Sequence, residues 1–179
     1  MACIVPNILS LTQHLKTLKE NSEKYKIEKC PTCGQCRLWH HGARYRKSDR
    51  ENDAQSTLNP VPILRLYCPM CHRTCSVLPE CIPPHRWYLW AMQCAAILLV
   101  FSGESIHKVS QKIIPSRWTI RRWVLRLLDQ FNIHALHLKT TWSWLGYQTD
   151  LREFWLTLVD KIPFSTAMLV LNNHDVVVP

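Results

Sequence analysis

Two Cys-Pro-x-Cys turns constrain this chain more than any other feature of its sequence. They are Cys30-Pro-Thr-Cys33 and Cys68-Pro-Met-Cys71. A spacing of two residues lets one tight turn direct both sulfurs at the same metal ion, and the proline helps to preset that turn. Two such turns supply four thiolates in the tetrahedral geometry that Zn2+ accepts. The pattern therefore predicts a structural zinc site whose ligands are Cys30, Cys33, Cys68 and Cys71.

Other residues near these turns are alternative ligands. Cys36, Cys75 and His72 lie close enough in sequence to replace one of the four cysteines. A free thiol also behaves as a small apolar side chain, so Cys36 and Cys75 are more typical of packing positions. The chain has nine cysteines, and an odd number fits poorly with a closed disulfide framework. We expect reduced thiols that bind metal.

The N-terminal residues do not resemble a secretory signal peptide. They lack a basic start, a long apolar core and a small-residue cleavage site. The longest apolar run, from Trp87 to Phe101, is shorter than the roughly 20 residues that span a bilayer. These features predict a cytoplasmic protein without a membrane segment, in a compartment that keeps cysteines reduced.

The charge balance favours a polyanionic partner. Lys and Arg number 22 against 13 Asp and Glu, which gives a net charge of +9 with neutral His. An excess of this size is typical of proteins that bind nucleic acid, although an anionic membrane surface is also compatible with it. We expect DNA as the partner, and no membrane.

Hydrophobic periodicity and breaker residues divide the chain into four segments. The predicted fold is mainly α with a small β zinc ribbon, and the proline-dense residues 79–84 separate the ribbon from the helices that follow. The segments are an N-terminal helical segment (1–29), the zinc ribbon (30–80), a three-helix bundle like a helix-turn-helix (85–131) and an aromatic-rich segment of unclear fold (132–179).

The zinc ribbon is predicted from strands around the two cysteine turns. HHGARYRK and VPILRLYC read as strands, and residues 74–78 are a candidate third strand. The polar stretch from Ser48 to Asn59 reads as a long inserted loop. Arg44 and Arg46 are two residues apart and would project from the same face of the first strand. Together with Lys47 they are candidate DNA contacts. The competing interpretation is a solvated strand edge protected by charge.

Three consecutive helices are predicted over residues 85–101, 105–112 and from the N-cap Ser116 onwards. A short second helix and an arginine-rich third helix are typical of a helix-turn-helix, whose last helix enters the major groove. The predicted packing side of the third helix contains Trp118, Trp123, Val124 and Leu127. The candidate DNA contacts are Arg117, Thr119, Arg121, Arg122 and Arg126.

The C-terminal segment has a less regular pattern. Residues 151–160 read as a helix that ends before Pro163. The tail AMLVLNNHDVVVP reads as a strand or a loose end. This segment holds four acidic residues, Asp150, Glu153, Asp160 and Asp175, and too little chain to build the sheet that positions the carboxylate triad of a two-metal nuclease. We therefore expect a binding protein and not an enzyme.

The cysteine turns, HHGARYRK, RLYCPMCHRTCSVLP and SIHKVSQKIIPSRWTIRRWV form a series across residues 25–130. Together they resemble a bacterial, transposon-associated zinc-ribbon family of unknown function. The series is also similar in layout to the N-terminal region of insertion-sequence transposases, where a zinc ribbon precedes a helix-turn-helix. The resemblance implies the same four cysteine ligands, and the family's usual aromatic residue at position 75 implies that Cys75 packs.

Two hypotheses about function follow. The first is a DNA-binding protein with a zinc ribbon and a helix-turn-helix, associated with a transposon as an accessory or regulator that lacks its own nuclease. The second is a zinc-dependent adaptor that docks onto a partner enzyme such as a transposase. Salt dependence separates them, because phosphate contacts give a steep salt slope. The DNA sequence bound and the oligomeric state do not follow from the sequence.

Overall fold

A computed structural model of the chain describes residues 2–47, 60–84, 88–174, 176, 178 and 179. Within these residues the chain forms seven α-helices and one four-stranded sheet. They divide into two compact units, Met1–Leu89 and Trp90–Pro179. The prediction of helices combined with a small sheet is confirmed. The predicted loop from Ser48 to Asn59, and Trp87, lie outside the described residues.

The first unit is built on the sheet. Its strands are β1 (Ala2–Val5), β2 (Trp39–Arg46), β3 (Val61–Tyr67) and β4 (Thr74–Pro79). The strand order is β1-β4-β3-β2. Strands β2, β3 and β4 pair antiparallel, whereas β1 runs parallel to β4. The antiparallel part is the ribbon that the cysteine spacing predicts, and it places the two cysteine turns at the same end of the sheet.

The N-terminal residues differ from the predicted helical segment over residues 1–29. Strand β1 occupies the start, helix α1 spans only Leu11–Glu20, and a 3-10 helix follows at Ser22–Tyr25. Helix α1 begins at the N-cap Ser10, whose Oγ accepts a hydrogen bond from the backbone N–H of Gln13 at 3.1 Å. Strand β1 forms because β4 offers a backbone edge to pair with, an effect that four residues of sequence cannot reveal.

Apolar side chains of β3 and β4 are buried on both faces of the sheet, because successive residues of a strand point to opposite sides. One buried cluster contains Ile8, Tyr25, Leu66, Cys75 and Val77. The other contains Val61, Ile63, Leu78, Cys81 and Ile82. The connections before and after the strands therefore close a small core on each side of the ribbon.

A buried histidine ties α1 to the sheet. His14 is fully buried, and its Nε2 lies 2.8 Å from the carbonyl oxygen of Pro62. The other ring nitrogen, Nδ1, shares a hydrogen bond with the hydroxyl of Tyr25. Burial lowers the pKa of His14, so the neutral ring donates through Nε2 and accepts at Nδ1. This pair of bonds satisfies polar groups that would otherwise be costly to bury.

The second unit is helical. Its helices are α2 (Trp90–Phe101), α3 (Ile106–Lys112), α4 (Arg117–Asp129), α5 (Phe131–Thr141), α6 (Leu151–Lys161) and α7 (Phe164–Asn173), with a 3-10 helix at Ser143–Tyr147 before α6. Among its largest fully buried side chains are Phe154 and Trp155 of α6. The ring of Trp155 lies 6.1 Å from that of Phe164, so α6 and α7 pack through aromatic side chains.

Three of these helices begin where the sequence predicts, each at a residue whose side chain caps the helix N-terminus. Ser105 and Ser116 accept hydrogen bonds from Lys108 N and Thr119 N at the starts of α3 and α4. Asp150 accepts from two backbone N–H groups at the start of α6. Helix α2 is the exception, because it begins at Trp90 and not at the predicted residue 85.

The C-terminal tail is a helix and not the predicted strand or loose end. Helix α7 buries Phe164, Ala167, Met168 and Leu171, which follow the i, i+3, i+4, i+7 spacing of one helix face. The apolar run AMLV alone does not distinguish a strand from a helix. The helical period becomes visible only when Phe164 is read together with that run.

Helix α4 has a buried face and an exposed face. Its buried residues are Ile120, Trp123, Val124 and Leu127, and they pack towards α2 and α3. Three of these four residues were predicted to pack. Trp118, also predicted to pack, is instead 63% exposed. The reason is helical geometry, because 118 lies about 200° around the helix from 120.

The apolar helices are short. Among the described residues, no single helix is long and apolar enough to cross a membrane. Helices α6 and α7 reach the required length and composition only as a pair, and the chain bends by 110° between them.

The two tryptophans of α4 predict a contrast in stability. Trp123→Ala should lower the free energy of unfolding of the second unit by roughly 3–5 kcal/mol, because it leaves a large cavity in the core. Trp118→Ala removes an exposed side chain of the same size and should change the value by only about 0.5 kcal/mol. Urea unfolding of both variants measures the difference. Equal losses would contradict the two-faced description of α4.

Candidate metal centre and basic surfaces

The four cysteines predicted as ligands converge in the first unit. Cys30 and Cys33 lie in the turn that leads to β2, and Cys68 and Cys71 lie between β3 and β4. The Sγ atoms of Cys30 and Cys71 are 3.7 Å apart, and those of Cys33 and Cys68 are 3.6 Å apart. All four sulfurs lie within 4.8 Å of one another. A disulfide needs about 2.05 Å, so these are four free thiols that can hold a metal ion.

The two turns close with the same backbone hydrogen bond. The N–H of Cys30 donates to the carbonyl of Gln35 at 2.8 Å, and the N–H of Cys68 donates to the carbonyl of Arg73 at 2.9 Å. In each turn the bond joins the first cysteine to the residue five positions later. The two turns therefore have the same backbone hydrogen bond, and each contributes one pair of sulfurs to the cluster.

A left-handed backbone conformation follows the second cysteine of both turns. The φ angle is 72° at Gly34 and 56° at His72. Glycine adopts this conformation freely, whereas histidine carries a steric cost. Nδ1 of His72 lies 2.8 Å from the hydroxyl oxygen of Tyr67, and this contact holds the imidazole beside Tyr67. Among the described residues, His72 does not join the convergent ligand atoms, which come from the four cysteines.

Backbone hydrogen bonds prepare Cys30 to act as a thiolate. The N–H groups of Cys33 and Thr32 lower the pKa of the Cys30 thiol to about 6. The backbone of Gln35 lowers the pKa of Cys33, but burial and the neighbouring sulfurs outweigh this effect and raise it to about 12. Metal ligands must be deprotonated. Cys30 therefore gives up its proton more readily than an ordinary thiol, and a bound metal ion must displace the proton of Cys33.

The other cysteines lie outside the four-sulfur cluster. Cys36 is exposed, and Cys75 is buried in an apolar cluster, as expected for a packing residue. Burial raises the pKa of the Cys3 and Cys94 thiols to about 11 and that of Cys81 to about 12. These three thiols are protonated at neutral pH and therefore poorly nucleophilic.

A protein family matches the region that contains the cysteine turns. The family described as "Domain of unknown function (DUF6431)" matches residues 30–123. The chain belongs to this family. The match begins at the first cysteine of the cluster and ends within α4, so it includes all four cysteines. Comparisons with curated proteins and with solved structures give no match.

The basic residues on and just after β2 differ in their exposure to solvent. Arg44 lies opposite Ile63 and Arg46 opposite Val61, so the two arginines share a face, as their parity predicts. Arg44 and Lys47 are exposed. Arg46 is half-buried, its Nη2 donates to the carbonyl oxygen of Pro83 at 2.9 Å, and burial lowers its pKa. The guanidinium of Arg46 is therefore held within the first unit.

The exposed face of α4 carries a tryptophan between arginines. Arg117, Arg121 and Arg122 are exposed with Trp118. The guanidinium carbon of Arg117 lies 5.3 Å from the centre of the Trp118 ring, and that of Arg121 lies 5.8 Å away. Both distances are within the range of cation–π attraction. The sequence held the signal for this arrangement, because positions 118, 121, 122 and 125 share one helix face.

The two other predicted DNA contacts of α4, Thr119 and Arg126, form hydrogen bonds within the second unit. Thr119 is half-buried, and its Oγ1 lies 3.1 Å from Ser116 Oγ at the helix cap. Arg126 is half-buried, and its Nη1 donates to the carbonyl oxygen of Val178 at 3.2 Å. These contacts give both side chains a role in holding α4 and the C-terminus in place.

Substitution of single cysteines tests the ligand assignment. Cys33→Ser or Cys68→Ser should abolish stoichiometric metal binding and unfold the first unit, because metal binding supplies much of the folding free energy of a small ribbon. The measurements are metal content per chain and the circular dichroism spectrum.

Cys36→Ser and Cys94→Ser are the matched controls, since neither sulfur lies in the cluster. Both variants should keep the metal content and spectrum of the parent. Loss of the metal from Cys36→Ser would show that the assignment is wrong.

Proposed function

We propose that the four-cysteine cluster holds one Zn2+ ion. Zinc–sulfur bonds of about 2.3 Å in a tetrahedron place the sulfurs about 3.8 Å apart. The distances of 3.7 Å and 3.6 Å in the cluster are close to that value. Four thiolates also complete the coordination shell and leave no position for water or substrate, so the ion has a structural role.

We further propose that the protein binds DNA through a helix-turn-helix formed by α2, α3 and α4. Helix α3 ends at Lys112 and α4 starts at Arg117, which leaves the four-residue connection 113–116. A turn of three to four residues is typical of this motif, in which the last helix enters the major groove. The buried face of α4 packs towards the two preceding helices, and this packing presents the opposite face to a ligand.

The observation that carries this proposal is the composition of that exposed face. Within the part of the chain that the structure describes, no carboxylate forms an ion pair with Arg117, Arg121 or Arg122. Helix α4 contains a single acidic residue, Asp129, at its C-terminal end, away from Arg117 and Arg121. A solvated surface helix usually mixes charges. Three guanidinium groups without a carboxylate partner can donate hydrogen bonds to phosphate oxygens and to the edges of guanine bases.

Single residues have separate roles in this proposal. Arg117 and Arg121 are one turn apart at the N-terminal end of α4, where recognition helices contact base edges. Arg122 contacts the phosphate backbone, and Arg44 and Lys47 of the ribbon add further phosphate contacts. Thr119, Arg126 and Arg46 support the surfaces from within and do not contact DNA directly.

The resemblance to transposon-associated proteins supports a place beside a transposase, as an accessory or regulator without its own nuclease. In this proposal the acidic residues of the second unit do not perform chemistry. Asp150 caps α6, and Glu153 and Asp160 are exposed on the same helix. Asp175 lies outside the described residues.

A second candidate function is a zinc-dependent adaptor for a partner enzyme. Exposed apolar side chains on α4 and α5 favour it. Leu125 is 42% exposed, Leu128 45% and Leu136 64%. Exposed apolar groups of this kind are common at protein interfaces. DNA binding is the leading proposal because Arg117, Arg121 and Arg122 surround these apolar groups and form no ion pair with a carboxylate among the described residues, a charge pattern that favours a polyanion.

Metal analysis tests the zinc proposal. The purified protein should contain one zinc ion per chain, and a strong chelator should remove the ion and unfold the first unit. Iron is the main competitor for four thiolates in a tetrahedron. A visible absorption band with stoichiometric iron would refute zinc, as would a fold that persists without any metal.

Alanine substitutions on α4 test the DNA-binding proposal. Arg117→Ala and Arg121→Ala should weaken binding to a selected duplex by about 1–3 kcal/mol more than binding to scrambled DNA, because a bidentate arginine–guanine contact discriminates between bases. Arg122→Ala should weaken both equally and reduce the salt slope by about one. Fluorescence anisotropy across salt concentrations measures these effects.

Arg152→Ala is the matched control, since Arg152 is exposed on α6 and its loss removes the same charge. It should change neither affinity nor salt slope. If Arg117→Ala and Arg121→Ala are as silent as Arg152→Ala, α4 does not contact DNA, and if they weaken binding to both DNAs equally, α4 is a generic basic surface. Binding of a protein partner with no salt-dependent DNA binding would support the adaptor instead.

A further inference from the structure

Three rings lie around Tyr67 on the ribbon, beside the four-cysteine cluster. Trp39 lies opposite Tyr67 in the pairing of β2 with β3, and opposite residues carry their side chains on the same face. The centre of the Tyr67 ring lies 6.3 Å from that of Trp39, 5.8 Å from that of His41 and 6.4 Å from that of His72. We name the group of Trp39, His41, Tyr67 and His72 the ribbon platform.

The ribbon platform faces solvent. Trp39 is 58% exposed, and His41 and His72 are also exposed. Tyr67 is half-buried at the centre of the group, and its hydroxyl holds His72. Tryptophan is usually highly buried in folded proteins. An exposed tryptophan beside other rings is therefore informative, and the core of the ribbon does not account for it.

The surroundings of the ribbon platform are basic. Ile63, Arg65 and Tyr67 alternate along β3 and share a face, and Arg44 lies opposite Ile63 on that face. The Nη2 of Arg65 donates to Thr74 Oγ1 at 2.8 Å, which fixes its guanidinium on the sheet. The segments 34–47 and 60–79 that form this surface contain no Asp or Glu.

The metal centre gives the ribbon platform a rigid base. His72 directly follows Cys71, and the contact from Tyr67 fixes its ring. Trp39 begins β2 and is held in register with Tyr67. Because Tyr67 and His72 hold each other, these two rings lose little side-chain entropy when a ligand binds.

We propose that the ribbon platform stacks on unpaired bases of single-stranded DNA while Arg44 contacts the backbone. Aromatic side chains in a positively charged groove are the means by which proteins hold single strands, because every base offers a π face. Bases within a duplex expose only their edges in the grooves, so stacking selects unpaired bases. This inference deepens the proposal that the protein binds DNA and rests on that proposal, but it does not depend on α4 as the contact to the duplex.

The test compares variants of the full, zinc-loaded chain in binding to a fluorescent oligothymidylate of about 12 nucleotides. Trp39→Ala should weaken this binding about tenfold, since stacking on one base has roughly that effect. Trp39→Phe should restore most of the affinity because it keeps a π face. Neither variant should change binding to duplex DNA.

Tyr45→Ala is the matched control. Tyr45 is 68% exposed on the same strand, but it pairs with Pro62, on the opposite face from Trp39 and Arg44. Its loss should change oligothymidylate affinity by less than about twofold, well below the effect of removing a stacked ring. Equal losses for Tyr45→Ala and Trp39→Ala would overturn the inference. If Trp39→Ala loses zinc, His41→Ala replaces it and must show the same selective loss on the single strand.

Binding to duplex DNA, measured on the same variants, distinguishes the helix-turn-helix proposal from the ribbon-platform proposal. If duplex binding depends on Arg121 but oligothymidylate binding is indifferent to Trp39, the ribbon platform is refuted and the helix-turn-helix stands. If oligothymidylate binding depends on Trp39 and the duplex is not bound, the helix-turn-helix is refuted and the ribbon platform stands. Absence of binding to either DNA refutes both.

Discussion

The convergence of four cysteine sulfurs is the constraint on which the first unit depends. It joins the turn that leads to β2 to the turn between β3 and β4, two points 35 or more residues apart in sequence. Small domains bury too little apolar surface to be stable by packing alone, and a metal ion at the proposed site would add the missing free energy. The same cluster lies beside the ribbon platform, because His72 directly follows Cys71.

The second unit depends on a different principle. Each helix buries one apolar face, and side-chain caps define where α3, α4 and α6 begin. Helix α4 has a packing face and an exposed basic face, with Trp123 in the core and Trp118 among exposed arginines. A single helix can therefore stabilise its unit and present a basic surface, because residues three or four positions apart share a face.

Some arginines that sequence alone makes equivalent have different environments. Arg44 and Arg117 are exposed, whereas Arg46 and Arg126 each donate to a backbone carbonyl within their own unit. A guanidinium satisfied in this way contributes to packing and orientation, since its removal would leave a carbonyl without its partner. The distinction matters for any DNA-binding role, because only an accessible guanidinium can reach phosphates or base edges.

The sequence by itself determined the four-cysteine cluster, the ribbon strands and the starts of α3, α4 and α6. These features follow from local rules, namely the spacing of cysteines in a turn and the residues that cap a helix. Only the tertiary structure decided that residues 2–5 form β1, that the tail forms α7 and that Trp39 and Trp118 are exposed. The physical reason is that pairing, burial and exposure depend on neighbours distant in sequence, which local propensity does not encode.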